Sequence, residues 1–168
     1  MSNIFFIADP HFNHKNIIDF EERPFVSVEE MDAILIKNWN NTVCKKEKVF
    51  ILGDLAWGSK DKIREYIQQL NGIKTLVLGN HDRAHSITWW SDMGLWEVVQ
   101  YPIIYKEWFI LSHEPVYLNT SMPYANIFGH VHAHKNYVDY SKQGFCVCVE
   151  RIGYKPIEWE EIRKKMEG

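Results

Sequence analysis

The sequence lacks several features that would place it in other classes of protein. No run of eighteen or more apolar residues occurs, which excludes a membrane-spanning helix. The first residues lack the basic segment of a secretion signal, and their short apolar run leads directly into Asp9. Only three cysteines are present, and an odd number without such a signal argues against a disulfide framework. We therefore expect a reducing, cytoplasmic setting and no membrane contact.

Excess positive charge is also missing. The formal net charge is −3, and no lysine block is longer than the pairs Lys45-Lys46 and Lys164-Lys165. Proteins that bind nucleic acid regardless of its sequence usually carry a basic surface. We therefore expect no stable nucleic-acid complex, although a nucleotide or the end of a short nucleic acid stays a candidate substrate.

Repeats, linkers and low-complexity segments are absent as well, and 46% of the residues are apolar. A chain of 168 residues has an ordinary length for one domain, here residues 1–168. Its first half alternates short apolar runs with amphipathic segments. Strands are predicted at residues 4–8, 49–52 and 75–78, and helices after a capping box at residues 27–30 and after Ser59. This order predicts a parallel sheet, and residues 12–26 look irregular.

The second half has a different pattern. After residue 95 the apolar runs are short, rich in β-forming residues and too close together for intervening helices, which favours antiparallel pairing. They lie at residues 98–99, 103–105, 108–111, 125–128 and 145–149. Cys146 and Cys148 share one face of the last run, where packing is the expected role. A terminal helix follows Pro156, so we expect two packed sheets flanked by helices.

Five of the apolar runs end in side chains that can bind a metal ion. The third run leads into Gly79, which permits a sharp turn or the close approach of a ligand. A single polar residue after a strand is routine, and a structural role is our interpretation of His14, His85 and His134. Five such endings instead indicate a site at the carboxyl ends of the strands. The side chains at these ends are Asp9, His11, Asp54, Asn80, His81, His113, His130 and His132.

The chemistry of these side chains favours two divalent cations. Two carboxylates, one amide and four imidazoles exceed the needs of one ion, and nitrogen and oxygen ligands without thiolate suit Mn, with Fe or Zn as alternatives. Extended backbone between Asp9 and His11, or between His130 and His132, would direct each pair to one face. Two ions held roughly 3.5–4 Å apart lower the pKa of bound water to about 7, so hydroxide becomes available as a nucleophile.

The series of motifs resembles that of the calcineurin-like metallophosphoesterases. The matching motifs are Asp9-x-His11, Gly53-Asp54, Gly79-Asn80-His81-Asp82, His113 and Gly129-His130-x-His132, in order over about residues 4–132. Residues 9–18, Arg23-Pro24-Phe25 and Asn38-Trp39-Asn40 resemble the small single-domain bacterial and phage members. Pro10 departs from the small or hydroxylated residue of many members. The short spans between motifs leave no room for a cap domain.

The resemblance implies a four-layer α-β-β-α sandwich and a role for each matched residue. Asp54 would bridge two ions, and His81 would protonate the leaving group, with Asp82 near enough in sequence to orient it. One ion would be bound by Asp9, His11 and His132, and the other by Asn80, His113 and His130.

The expected substrate is a phosphate ester, with a phosphodiester favoured. A cleft without a cap is open, which admits diesters or large substrates and does not choose between them. The alternatives are a phosphomonoesterase or protein phosphatase, a nuclease acting on short oligonucleotides, and a non-catalytic scaffold like the small phosphoesterase-like retromer subunit. Each candidate phosphate contact has a surface or packing role as its alternative. These candidates are His14, Lys15, Asn16, Arg23, Asn80, Arg83 and Tyr124.

Overall fold

The structure, a computed structural model, describes residues 3–167 and arranges their strands in two five-stranded sheets. The helices are α1 (Ile17–Phe20), α2 (Val28–Thr42), α3 (Lys60–Gln69), α4 (Ile87–Ser91) and α5 (Trp159–Glu167), and a 3₁₀ turn spans Asp82–Ala84. The strands are β1 (Ile4–Ile7), β2 (Lys48–Leu52), β3 (Ile73–Val77), β4 (Glu97–Val99), β5 (Ile103–Tyr105), β6 (Phe109–Leu111), β7 (Ala125–Phe128), β8 (Tyr140–Ser141), β9 (Gly144–Cys146) and β10 (Ile157–Glu158).

The first sheet has the strand order β10-β1-β2-β3-β4. Strands β1 to β4 are parallel, with Phe6 opposite Phe50 and Leu76 opposite Val98, whereas β10 pairs antiparallel with β1. The parallel sheet expected from the first half of the sequence is therefore confirmed. Most residues of β1, β2 and β3 are buried, which explains why these strands appear in the sequence as apolar runs.

The helix starts follow the predicted capping residues. The Ser27 hydroxyl accepts a hydrogen bond from the Glu30 N–H at 3.2 Å, and the Ser59 hydroxyl accepts one from Lys62 at 3.3 Å. In a capping box the Glu30 carboxylate would accept a hydrogen bond from the N–H of Ser27, the N-cap. Here it accepts one from Val26, one residue earlier. The prediction of an irregular segment at 12–26 was wrong at α1, because a single helical turn is too short to show a period.

The second sheet has the order β5-β6-β7-β9-β8. The antiparallel prediction is confirmed for β5 with β6 and for β8 with β9, but it was wrong for β6 with β7 and for β7 with β9. The reason is that residues 112–124 cross between β6 and β7 as an irregular segment, a connection that a parallel pair needs but normally makes with a helix. The predicted strand 145–149 leaves the sheet after Cys146, and Cys148 forms a bridge with Ala8.

Two apolar clusters stabilise this architecture. The first cluster joins the outer face of the first sheet to α2 and α3 through residues such as Leu35, Trp39 and Ile63. The second lies between the sheets around Phe6 and Ile127, and Trp159 of α5 packs into it. The expected fold, two mixed sheets flanked by helices, is confirmed. No helix among residues 3–167 is long and apolar enough to cross a bilayer.

Candidate metal centre

The predicted metal ligands surround the carboxylate of Asp54. Its Oδ2 atom lies 3.5 Å from His113 Nε2, 3.6 Å from His11 Nε2 and 3.8 Å from His81 Nε2. Asp54 follows β2, the strand between β1 and β3, so it reaches side chains that follow several other strands. This position explains how residues far apart in the sequence come within a few ångströms of one carboxylate.

The other ligands form one group on either side of Asp54. In the first group, Asp9 Oδ1 lies 3.8 Å from His11 Nε2 and 3.7 Å from His132 Nε2. In the second group, Asn80 Oδ1 lies 2.8 Å from His113 Nε2 and 2.9 Å from His130 Nδ1. Ligand atoms of Asp9, His11 and His132 all lie within 4.8 Å of one another, as do those of Asp9, Asp54 and His113. The structure thus brings together all seven side chains predicted to bind metal.

The backbone at these ligands is left-handed. Five of the ten non-glycine residues with positive φ in the described chain are predicted ligands. These left-handed residues are the ligands themselves, and Pro10 and Val131, which separate the two x-spaced pairs, are not among the ten. Such a conformation costs of order 1–3 kcal/mol at each residue and occurs mainly where function requires it. The five are Asp9 (φ 57°), His11 (52°), Asp54 (53°), His130 (70°) and His132 (46°).

Two glycines allow the loops of the site to approach one another. A Cβ on Gly79 would overlap the Asp54 carboxylate, and a Cβ on Gly53, whose φ is +87°, would overlap the His113 ring. The close approach expected at Gly79 is confirmed, and the group that approaches is the carboxylate at the centre of the site. A side chain at either position would therefore separate the ligands.

Two polar atoms of the predicted ligands are buried and have no partner within the described chain. Asp9 Oδ1 and His11 Nε2 are both solvent-inaccessible and form no hydrogen bond. A buried polar atom left unpaired costs about 1–3 kcal/mol. Burial also raises the pKa of Asp9 to about 7 and the pKa of Asp54 to about 8. A divalent cation would give both atoms a partner and keep both carboxylates ionised, so the residues fit a metal ion.

The histidines suit the same role. Burial lowers the pKa of His113 to about 4 and the pKa of His11 well below its ordinary value, so both rings are neutral near pH 7. His113 Nδ1 lies 2.9 Å from the Leu52 carbonyl oxygen, to which it donates as an N–H. This hydrogen bond leaves the lone pair on Nε2, the nitrogen that faces Asp54.

Glu150 is a site residue that the sequence reasoning missed. Its Oε1 atom accepts a hydrogen bond from His132 Nδ1 at 3.0 Å and pairs with the guanidinium of Arg23 at 2.7 Å. A carboxylate in this position fixes the orientation of a metal-binding histidine. Glu150 directly follows the apolar run 145–149, so the pattern that identified the other ligands could also have identified it.

Arg23 was predicted to contact substrate, and that prediction was wrong. Its side chain is fully buried and donates to the carbonyl oxygens of Asp9 at 2.8 Å and Pro10 at 3.0 Å, besides its bonds to Glu150. Arg23 therefore fixes the turn that carries Asp9. This role could not be predicted from the local pattern, because an isolated arginine before a proline is usually exposed.

Asp82 also has a different role from the predicted one. Its buried carboxylate accepts three backbone hydrogen bonds, from Asp54 at 2.7 Å, Gly79 at 2.9 Å and Leu55 at 3.1 Å. It therefore joins the loops after β2 and β3 and does not orient the His81 ring. His81 is 41% exposed, and its backbone N–H donates to Asp54 Oδ1 at 3.0 Å.

The remaining predicted substrate contacts fall into two groups. His14 and Asn80 lie at the site, since the His14 ring centroid is 5.3 Å from that of His11 and Asn80 contacts two histidines. The side chain of Arg83 is paired with Glu114, and Tyr124 lines a separate groove near Trp108. Lys15 and Asn16 are exposed beside His14.

Comparison with known proteins agrees with this geometry. A family model described as calcineurin-like phosphoesterase matches residues 2–165. This chain belongs to that family. Membership supports metal-dependent hydrolysis of phosphate esters, and it accounts for carboxylates and histidines gathered at strand ends.

Proteins similar to this chain include an archaeal, a phage and a bacterial protein. The chain is 38% identical to the uncharacterized protein MJ1445 of Methanocaldococcus jannaschii, over 99% of this chain and 93% of that protein. It is 42% identical to the gene 66 protein of Mycobacterium phage L5, over 51% of this chain and 42% of that protein. Its fold is similar to the crystal structure of AQ665, a protein of unknown function from Aquifex aeolicus, with a TM-score of 0.73 and 25% sequence identity. The match covers 99% of this chain and 100% of that chain.

Proposed function

We propose that this phosphoesterase hydrolyses phosphodiesters with two divalent cations, Mn²⁺ in preference to Fe or Zn, in the cytoplasm. The unpaired buried atoms of Asp9 and His11 carry the metal assignment, because they lie 3.8 Å apart and ligand atoms of Asp9, His11 and His132 all lie within 4.8 Å of one another. Asp9, His11 and His132 would hold one cation, and Asn80, His113 and His130 the other, with Asp54 shared. When bound, the cations supply an activated water and neutralise phosphate charge.

The chain itself would supply the proton for the departing oxygen. His81 is the exposed histidine beside Asp54 that belongs to neither ligand group, so its Nε2 atom is free to donate to a substrate. Burial lowers the pKa of this ring, and the negative charge of a bound phosphate would raise it again. Asn80, as a cation ligand with an exposed side chain, and His14 would line the phosphate position.

Two clefts that adjoin the site, one lined by predicted ligands and the other by His81, favour a diester over a monoester. One, of about 990 Å³, is lined by His130, His132 and residues 133–137, and the other, of about 360 Å³, is lined by His81 and Trp57. A diester has a substituent on each side of phosphorus, whereas a monoester has one. An open site with two adjoining clefts therefore suits a diester.

The test is a substrate panel with metal-stripped protein to which Mn²⁺ is added back. Matched aryl phosphodiesters and phosphomonoesters, cyclic nucleotides and short oligonucleotides would be compared by kcat/KM. We expect turnover only with added cation, and higher values for diesters. A preference for monoesters would refute the diester assignment, while hydrolysis that resists chelation would refute the metal mechanism. Stable metal binding without turnover of any ester would favour the scaffold alternative.

A further inference from the structure

The cleft beside His81 has a lining that differs from the rest of the site. Of its described lining residues none is Asp, Glu, Lys or Arg, and the lining includes Trp57, His85, Trp90 and the small residues Gly58 and Ala84. A cleft without fixed charge favours a neutral occupant, since a charged group would lose hydration there without gaining a partner. Its volume of about 360 Å³ lies within the usual range for small-molecule sites.

The aromatic side chains of this cleft are already held in place. The Trp57 ring is 49% exposed, and it stacks on His14 with centroids 5.0 Å apart and planes at 16°. The His85 ring stacks on Trp89 at 3.7 Å and 13°. Rings held by their neighbours lose little freedom when they bind another flat group.

We propose that this cleft binds the leaving group of the substrate and selects a flat, neutral aromatic ring of the nucleobase type. The assignment rests on the proposed role of His81, which lines the cleft and meets the Trp57 ring at 5.5 Å and 69°. A leaving oxygen that takes its proton from His81 must have its substituent next to that ring. Trp57 is then a specificity-determining residue, and stacking would accept any base because every base has a π-face.

The binding arm of the test uses adenosine, which has the ring but no phosphate. Its dissociation constant for the Mn²⁺-loaded protein would be measured by equilibrium dialysis, with ribose as the comparison ligand. We expect measurable adenosine binding that weakens about tenfold or more in Trp57→Leu and is largely kept in Trp57→Phe. The matched control is Trp96→Ala, since Trp96 is 77% exposed and lines a different part of the surface.

The kinetic arm compares a dinucleotide that releases a nucleoside through its 5′-oxygen with the methyl diester of the same 3′-nucleotide, which releases methanol in its place, and product analysis identifies the oxygen that departs. We expect the wild type to favour the dinucleotide at least tenfold in kcat/KM, and Trp57→Leu to reduce that ratio several-fold. Equal rates for both esters in the wild type, or adenosine binding unchanged in Trp57→Leu, would overturn the proposal. If no ester is hydrolysed, the proposed function fails, whereas adenosine binding still decides whether the cleft holds a ring.

Discussion

Replacing Glu150 by glutamine tests whether the positions of Asp9, His11 and His132 depend on the negative charge of Glu150. Glutamine keeps the shape of the side chain but removes its negative charge. The change affects two partners at once, because Glu150 accepts from His132 at 3.0 Å and from the Nε of Arg23 at 2.9 Å. We expect Glu150→Gln to weaken both the fold and the binding of metal.

The magnitude follows from burial. The Arg23 side chain is fully buried and the Glu150 side chain is 5% exposed, so the arginine has no water to replace its partner. Removing one member of a buried pair costs about 3–5 kcal/mol, and the glutamine carbonyl still accepts one hydrogen bond, so we expect a loss of about 2–4 kcal/mol in the free energy of unfolding. Loss of the carboxylate behind a metal-binding histidine typically lowers metal affinity about 10–100-fold.

Two measurements check this prediction. Chemical denaturation of the metal-free protein gives the free energy of unfolding, and competition with a chelating dye gives the affinity for Mn²⁺. Glu161→Gln is the matched control, because Glu161 is 54% exposed and pairs with Lys165 on the surface of α5, so its loss should change stability by less than about 0.5 kcal/mol. Folded Glu150→Gln protein with unchanged Mn²⁺ affinity would refute the reasoning.

Three further predictions concern the shared ligand Asp54, the proposed proton donor His81 and the pH dependence of stability. Asp54→Asn should weaken binding of both cations and abolish hydrolysis, as checked by metal content and turnover; normal turnover would disprove its shared position. His81→Ala should keep its metal while kcat falls about 10²–10⁴-fold, and loss of metal would contradict its role. In the metal-free protein, burial raises the pKa of Asp9 to about 7 and of Asp54 to about 8. Burial alone would lower the pKa of His132, but the hydrogen bond to Glu150 and the charge of Asp9 raise it to about 9. Between pH 6.5 and 9 the folded chain holds protons that the unfolded chain has lost, so its free energy of unfolding should fall as pH rises, by roughly 5 kcal/mol. Denaturation at pH 6.5 and 9 that shows rising stability would be inconsistent with these shifts.

The parts of the fold that could be predicted are those that depend on local pattern. A pattern of a few neighbouring residues is enough to identify the strands β1 to β3, the helix caps at Ser27 and Ser59, and the ligands at strand ends. Parallel strands also place their carboxyl ends at one edge, so the gathering of Asp9, Asp54 and Asn80 follows from strand order.

The parts that could not be predicted depend on contacts between distant residues. Arg23 and Glu150 are separated by 127 positions, and no periodicity connects them. The Asp82 carboxylate looked like a partner for the adjacent His81, but three backbone N–H groups across the loops bind it instead. The parallel pairing of β6 with β7 was equally hidden, because its crossover has no helix.

Neither sheet holds the complete ligand set. Asp9, Asp54 and Asn80 follow strands of the first sheet, whereas His113 and His130 follow strands of the second. A cation bound by ligands from both sheets therefore stabilises the packing of one sheet against the other. The stabilisation grows with the cation concentration as RT ln(1 + [cation]/Kd). Amide protons of β6 and β7 should consequently exchange more slowly as the concentration of free cation rises. Cation binding would then control how long the two-sheet structure stays folded, as well as the chemistry at the site.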